Sequence, residues 1–356
     1  MLSLILAATV VTSLHPLREI AMDAGTNIPQ LAYARDDRFE YLGTPRGLYR
    51  SERIASAPLE VIAWSGESVN ALAVDDDGAL YLSKGLENFA LWPEHTLVRS
   101  RDRGVTFENV DAGLFSCIVP SECGYLVPRR ITFAPDRIFA SAGGNVVVTA
   151  DDGATWNVLA GATSDGKPAA QTCPAIHERI GERLLFGGEC PLDFGYLALG
   201  TLRPDLLGWS AGPVRLTAPE MENRNVQFIR DAGNGVVFAG VEGALLKSTD
   251  GGESFRYVIH FDLEATRYPY ISQFVITPRI VVAGGFDKAK EVAYLAYSAD
   301  RGESWIDLSA HVANASMVSM LAEDGDGRVL VATFEGEKFV ISELVLARLG
   351  RRRSVR

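Results

Sequence analysis

Ser298-Ala299-Asp300-Arg301-Gly302-Glu303-Ser304-Trp305 has three further copies along the chain: Ser100 to Phe107, Thr149 to Trp156 and Ser248 to Phe255. The common form is (S/T)-x-D-x-G-x-(S/T)-(W/F). It fixes Asp102, Gly104 and Phe107, then Asp151, Gly153 and Trp156, then Asp250, Gly252 and Phe255, and finally Asp300, Gly302 and Trp305. A short apolar run precedes each copy and another follows it, which reads as strand, tight turn, strand. The Asp carboxylate can accept hydrogen bonds from the N–H groups of its own turn, and the Gly supplies the positive φ such a turn needs. The aromatic ring gains a burial place beside the next strand. All these requirements are conformational, so the copies read as a folding device.

Spacing sets the number of units. The leading Ser or Thr stands at 100, 149, 248 and 298, giving steps of 49, 99 and 50. The double step calls for a decayed copy near 199, where Gly195 to Gly200 has the composition of a strand. One step earlier, Gly47 to Ser51 ends in a second decayed copy, and Lys338 to Ser342 follows one step after the last. Seven units of about fifty residues match four-stranded propeller blades. The fold class expected is therefore all-β, a seven-bladed β-propeller of four-stranded antiparallel blades. The propeller is expected over 28–349, between a 1–27 segment and a basic 350–356 tail.

The turn pattern resembles the Asp-box (BNR) repeat of sialidases, sortilin-like receptors, xyloglucanases and photosystem II assembly propellers. Those families share the repeat and differ in chemistry, so the resemblance implies a fold and leaves the activity open. The sialidase branch would imply an arginine triad, a Tyr–Glu nucleophile pair, an Asp acid/base and an early Arg-Ile-Pro motif. No Arg-Ile-Pro occurs; Arg53-Ile54-Ala55 and Arg130-Ile131-Thr132 come nearest. Arg129, Arg130, Arg224 and Arg267 could converge, with Tyr268 or Tyr270 as nucleophile, but no motif assembles the set and no catalytic residue is assigned. Xyloglucanases of this class use two propellers, for which the chain is too short.

The formal net charge of −11 argues against a nucleic-acid partner. Arg351 to Arg353 with Arg356 reads as a solvated terminal tail. Met1 to Ser13 is apolar and too short to span a membrane as a helix. It has the character of a secretory h-region without the positive n-region. Counting one repeat back from Ser51 offers the rival reading, in which residues 3–11 form the outer strand of the last blade. Cys173 and Cys190 fall at neighbouring ends of one expected hairpin, and Cys117 and Cys123 in one loop. Two such local disulfides fit an oxidising compartment, and export is the favoured reading. Zinc is the competing use of four cysteines, without C-x2-C spacing or paired His to support it.

Asp75-Asp76-Asp77-Gly78 and Glu323 to Gly327 lack the spaced ligand set of a calcium loop and read as hairpin turns. The five histidines are scattered, and no metal or cofactor site is expected. Function is then expected on the connections between blades, on the face opposite the Asp turns. The long stretches there are Leu86 to His95, Gly113 to Arg129, Pro213 to Asn225 and Asp262 to Tyr270. They bring forward Trp92, Tyr125, Arg129, Glu220, Glu222, Arg224, Arg267, Tyr268 and Tyr270 as candidate ligand contacts. A rim of that chemistry suits a protein or glycan ligand. The expectation is an exported, monomeric binding or assembly module without catalysis; the alternative is a sialidase-like glycoside hydrolase.

Overall fold

The computed structural model describes residues 9–22, 31–85, 97–114, 128–161, 173–189, 194–210, 215–217, 221–222, 224–261, 269–288 and 290–348. Seven antiparallel sheets succeed one another along the chain. Their inner strands are Ala32–Arg35, Val69–Val74, Arg130–Ala134, Pro174–Ile180, Val226–Asp231, Pro269–Ile276 and Met317–Glu323. Each inner strand neighbours the next, and the last neighbours the first, so the sheets are blades around one axis. A blade is apolar on both faces and buries them against the blades on either side. Accordingly, each of seven hydrophobic clusters joins two successive blades. Tyr81 and Leu97 of blade two thus meet Ile131, Val147 and Trp156 of blade three.

The four Asp turns join third to outer strands in blades two, three, five and six, and they share one geometry. In the second blade Ser100 Oγ bonds Asp102 Oδ1 at 2.8 Å, and the Gly104 N–H donates to Ser100 Oγ at 2.7 Å. The Thr106 N–H and hydroxyl donate to the two Asp102 oxygens at 2.8 and 2.6 Å. The same four bonds recur around Asp151, Asp250 and Asp300.

The turn glycines have φ of +84° to +87°, the region where an L side chain is strained. Three of them also abut the preceding blade. A Cβ on Gly153 would stand 1.7 Å from the Val110 carbonyl oxygen, on Gly104 2.4 Å from Ile62, and on Gly302 2.6 Å from Phe238. At Gly252 the nearest atom is a Leu185 methyl at 3.5 Å, ordinary contact. Cations just before the leading Ser carry the join further. Arg50 Nη1 donates to Arg103 O at 2.7 Å, and Lys247 Nζ to Arg301 O at 2.7 Å. Arg99 Nη1 meets Asp152 at 2.5 Å. Arg99 and Lys247 are each only 4% exposed.

Where the turn has decayed, other chemistry replaces it. In blade four the hairpin at 202–210 closes with Leu202 bridged to Trp209. The Trp209 indole donates to Leu159 O of blade three at 2.7 Å. In blade one Ser51 Oγ bonds Ala57 O, and Ile54 is wholly buried, its N–H donating to Glu40 Oε2 at 2.6 Å.

The seventh blade takes its outer strand from the other end of the chain. Thr9–Ala21 pairs antiparallel with Lys338–Arg348, outside Val329–Glu335 and Met317–Glu323. The strand overlaps the 3–11 expected from repeat counting at Thr9–Val11 and runs on to Ala21, residues 3–8 lying outside the described residues. No turn ties it to the third strand, so it pairs along the whole length of that strand, from Thr9 opposite Arg348 to Ala21 opposite Lys338. Lys338 Nζ meets Glu19 at 2.6 Å beside this seam.

A second difference concerns Pro213 to Asn225, expected as a loop. Arg215–Leu216 and Met221–Glu222 instead pair with the third strand Phe194–Thr201, whose eight-residue edge needs a partner along its length. Asp75 and Asp324 accept N–H bonds within their hairpins, as plain turns do. Cys173 is buried beside the end of its expected hairpin; Cys117, Cys123 and Cys190, and so one or both members of each expected disulfide, lie outside the described residues. No helix among the described residues is long and apolar enough to cross a membrane.

Gly153→Ala should cost about 3 kcal/mol or more, combining backbone strain with a displaced blade. Gly252→Ala should cost about 1 kcal/mol, the strain alone. Urea unfolding of both variants checks the order.

Burial by itself raises the Asp300 pKa, but the hydroxyl and N–H of Ser304, the Ser298 hydroxyl and the Glu303 N–H outweigh it and hold the carboxyl down to about 2. The folded value lies below the unfolded one. This contribution is therefore fully present above about pH 4 and is lost as pH falls toward 2. Asp300→Asn should flatten that part of the acid-unfolding curve, read by circular dichroism from pH 5 to 2.

Candidate functional site: the inter-blade face

Hairpins between inner and second strands, at 75–79, 135–136, 181–182 and 324–328, lie on the same face as the Asp turns. The connections from one blade to the next emerge on the other face. They include 110–129, 161–173 and 261–268. Trp92, Tyr125, Glu220, Arg267 and Tyr268 lie outside the described residues. Arg129, Glu222, Arg224 and Tyr270 are described, and all four sit on or beside this face, at strand entries and connections.

Arg224 and Tyr270 meet at one residue. Arg224 is 6% exposed. Its Nη1 donates to Glu242 O at 2.7 Å, and its Nη2 to Phe261 O at 2.9 Å and toward His260 Nε2 at 3.0 Å. The guanidinium also lies over the Tyr257 ring, whose hydroxyl pKa burial raises while Arg224 opposes the shift. Glu242 in turn bridges Tyr270, and the Gly243 N–H donates to Pro269 O. The 242–243 turn of blade five is thus a hub joining the entries to blades five and six. Arg224 holds that hub from within. Beside it Asn225 Oδ1 is buried and has no hydrogen-bond partner among the described residues.

Five inner strands carry a bulge at their entry on this face, centred on Asn70, Ala175, Gln227, Ser272 and Ser319. A bulge re-aims a side chain and bends its strand, and such irregularities gather beside sites. Four of the bulged positions, Asn70, Gln227, Ser272 and Ser319, are polar, and repeat counting gave no sign of them. The sequence does carry one trace: a small or polar residue follows the first apolar residue in Val69-Asn70, Val226-Gln227, Ile271-Ser272 and Val318-Ser319.

Arg130 does not join Arg224. It stands on the inner strand of blade three, ion-paired to Glu178 of blade four. Next to Glu178, His177 is wholly buried, with Nδ1 2.5 Å from Ser141 Oγ and Nε2 2.8 Å from Thr132 Oγ1. Burial first, and Arg130 second, push its pKa down to about 3, so the ring is neutral at pH 7. One hydroxyl donates to the ring and the other accepts from it. With no exposed surface, this arrangement fastens blade three to blade four. No group of three or more His, Cys, Asp or Glu placed to hold a metal occurs among the described residues.

No protein-family model matches the sequence, and no curated protein matches it. Solved structures do match in shape. The extracellular domain of BT4673 from B. thetaiotaomicron aligns at TM-score 0.61 and 12% identity, over 92% of this chain and 39% of that one. This chain therefore spans about two fifths of that protein's length. A structure of YCF48 bound to D1 peptide aligns at 0.58 and 13%, over 96% of this chain and 99% of the other. Virginiamycin B lyase from Staphylococcus aureus aligns at 0.59 and 11%, over 92% and 99%.

Arg224→Lys should destabilise the protein by about 1–3 kcal/mol, because an ammonium cannot serve two carbonyls and an imidazole from one buried fork. A denaturant midpoint within error of wild type would remove the clamp role. The blade count, the strand order within blades and the structural neighbours agree: the chain is a seven-bladed β-propeller.

Proposed function

We propose that this propeller is an exported, non-catalytic binding module that holds a segment of another protein on its inter-blade face. The observation carrying the reading is the unequal use of the two faces. On the Asp-turn face the carboxylates of Asp102, Asp151, Asp250 and Asp300 are consumed by their own turns, and the cations Arg99 and Lys247 by neighbouring blades. The opposite face carries the long connections and the bulged strand entries. The proposal assigns to this face Trp92, Tyr125, Glu220, Arg267 and Tyr268, which lie outside the described residues, beside Arg129, Glu222 and Tyr270; side chains of these types suit an extended polypeptide with mixed polar and aromatic groups.

The same reading takes the four turns as Asp boxes; their shared bonding pattern supports it. One structural neighbour, YCF48, is described bound to a peptide, which favours a protein over a glycan ligand. Another is an extracellular domain, and export with oxidised Cys117–Cys123 and Cys173–Cys190 pairs belongs to the proposal. Because Thr9–Ala21 completes blade seven, a leader removed as far as residue 27 would strip that blade of its outer strand. The propeller therefore calls for any cut to fall before the strand.

A photo-crosslinking amino acid placed at Trp92, Tyr125 or Tyr268 should capture a discrete protein adduct in the native host. The same probe at Arg101, on the Asp-turn face and 61% exposed, should capture none. Equal capture at both faces, or a glycan adduct alone, would sink the proposal. The intact mass of protein from the extracytoplasmic fraction should be four hydrogens below the reduced value.

A further inference from the structure

In blades one to six the outer strand follows the third strand of its own blade directly along the chain, and in four of them an Asp turn makes the connection. Blade seven differs. Its outer strand, Thr9–Ala21, comes from the opposite end of the sequence to its partner Lys338–Arg348. Lifting an outer strand away elsewhere means opening the connection as well as the pairing. Lifting this one opens the pairing alone. What it would leave is an eleven-residue edge, with backbone N–H and C=O groups free to template another strand.

The slot is selective about what fills it. Leu14 packs on the cluster between blades six and seven, and Leu17 and Ile20 pack on the one between seven and one. The register shifts twice, between Val11 and Ser13 and between Pro16 and Arg18, so an occupant has to bulge at both places. It also has to bring a carboxylate to Lys338, as Glu19 does at 2.6 Å, and a guanidinium to the Ala57 carbonyl of blade one, as Arg18 does. The segment that meets all these demands is the same strand in a second copy of this chain. The tether allows the transfer. Met22 and Leu31 are both held by blade seven, through Glu337 O and Ser319 O. The chain from 22 to 31 reaches about 30 Å when extended, whereas crossing the blade from outer to inner strand takes about 14 Å.

We propose that two copies of this protein exchange Thr9–Ala21, each strand completing blade seven of the other copy along its Lys338–Arg348 edge. The strand makes the same contacts in the closed monomer and in the exchanged dimer. The balance between them is therefore set by protein concentration and by the freedom lost on association. The inference does not rest on the peptide-binding reading of the inter-blade face, because the exchanged contacts belong to blade seven and its seams.

His15 stands opposite Glu343 across the pairing, and cross-strand Cα separations fall within disulfide range. His15→Cys and Glu343→Cys are made in separate full-length copies, mixed at high concentration and then oxidised. A covalent heterodimer should appear on non-reducing gels of the mixture and be absent when either variant is treated alone, since the native cysteines are common to all samples. A second pair uses charge. Glu19→Lys alone and Lys338→Glu alone each set like charges across the pairing, whereas exchange between the two variants restores opposite charges in both slots. Light scattering should then find the dimer fraction of that mixture about threefold or more above that of either variant alone. If the cysteine variants fail to fold, the charge-reversed pair decides. The proposal is overturned by a mixture without the covalent heterodimer, even where wild type dimerises, because the contact then lies on another surface. It is equally overturned by a charge-reversed mixture with no more dimer than its components.

Discussion

In three of the four blades that carry an Asp turn, the blade is tied to the one before it by the seat of the turn glycine against its neighbour. Gly153 approaches the Val110 carbonyl so closely that no side chain fits, and the turn can make that approach because Asp151 has already folded it back on itself. Local hydrogen bonding and long-range packing therefore make the same demand on one residue. The apolar clusters between blades supply most of the burial, but burial alone is non-directional. Where they occur, the glycine seat and the cation just before the turn fix how far a blade rotates relative to its neighbour. A ring has to close, so errors in that rotation would add up around it.

Closure explains the seventh blade. Its outer strand comes from Thr9–Ala21, so the contact that finishes the ring joins the two ends of the sequence. Blades one and seven also meet through Glu40, whose two carboxylate oxygens accept from Ile54 N and Gly325 N. Arg53 pairs with Asp326 beside it. Blade seven, which like blades one and four has no Asp turn, thus relies on a long strand and on polar contacts across the seam.

The sequence was legible where structure is local. The inner strands at 69–74 and 130–134 fall where apolar runs place them, and the turn chemistry of Asp102 or Asp300 can be read from a single octapeptide. Registers were not legible, because a strand's partner is chosen across fifty residues or more. The bulges at Gln227 and Ser272, the pairing of 215–222 with blade four and the span of the closing strand all follow from edges and lengths that no local pattern states. Arg99 illustrates the boundary. Its position before Ser100 is a visible repeat with Arg50 and Lys247, yet its partner Asp152 lies in the next blade.

The candidate site divides along the same line. Arg224 looks from sequence like a surface cation in a polar loop, and the structure spends it on Glu242, His260 and Phe261. Arg230 reads from sequence as part of the strand Val226–Asp231, and among the described residues its hydrogen bond is to the carbonyl of its neighbour Ile229. A charge that holds the scaffold is recognised by the carbonyls it satisfies. By that test Arg224 is architecture: its bonds go to the hub that joins the entries to blades five and six.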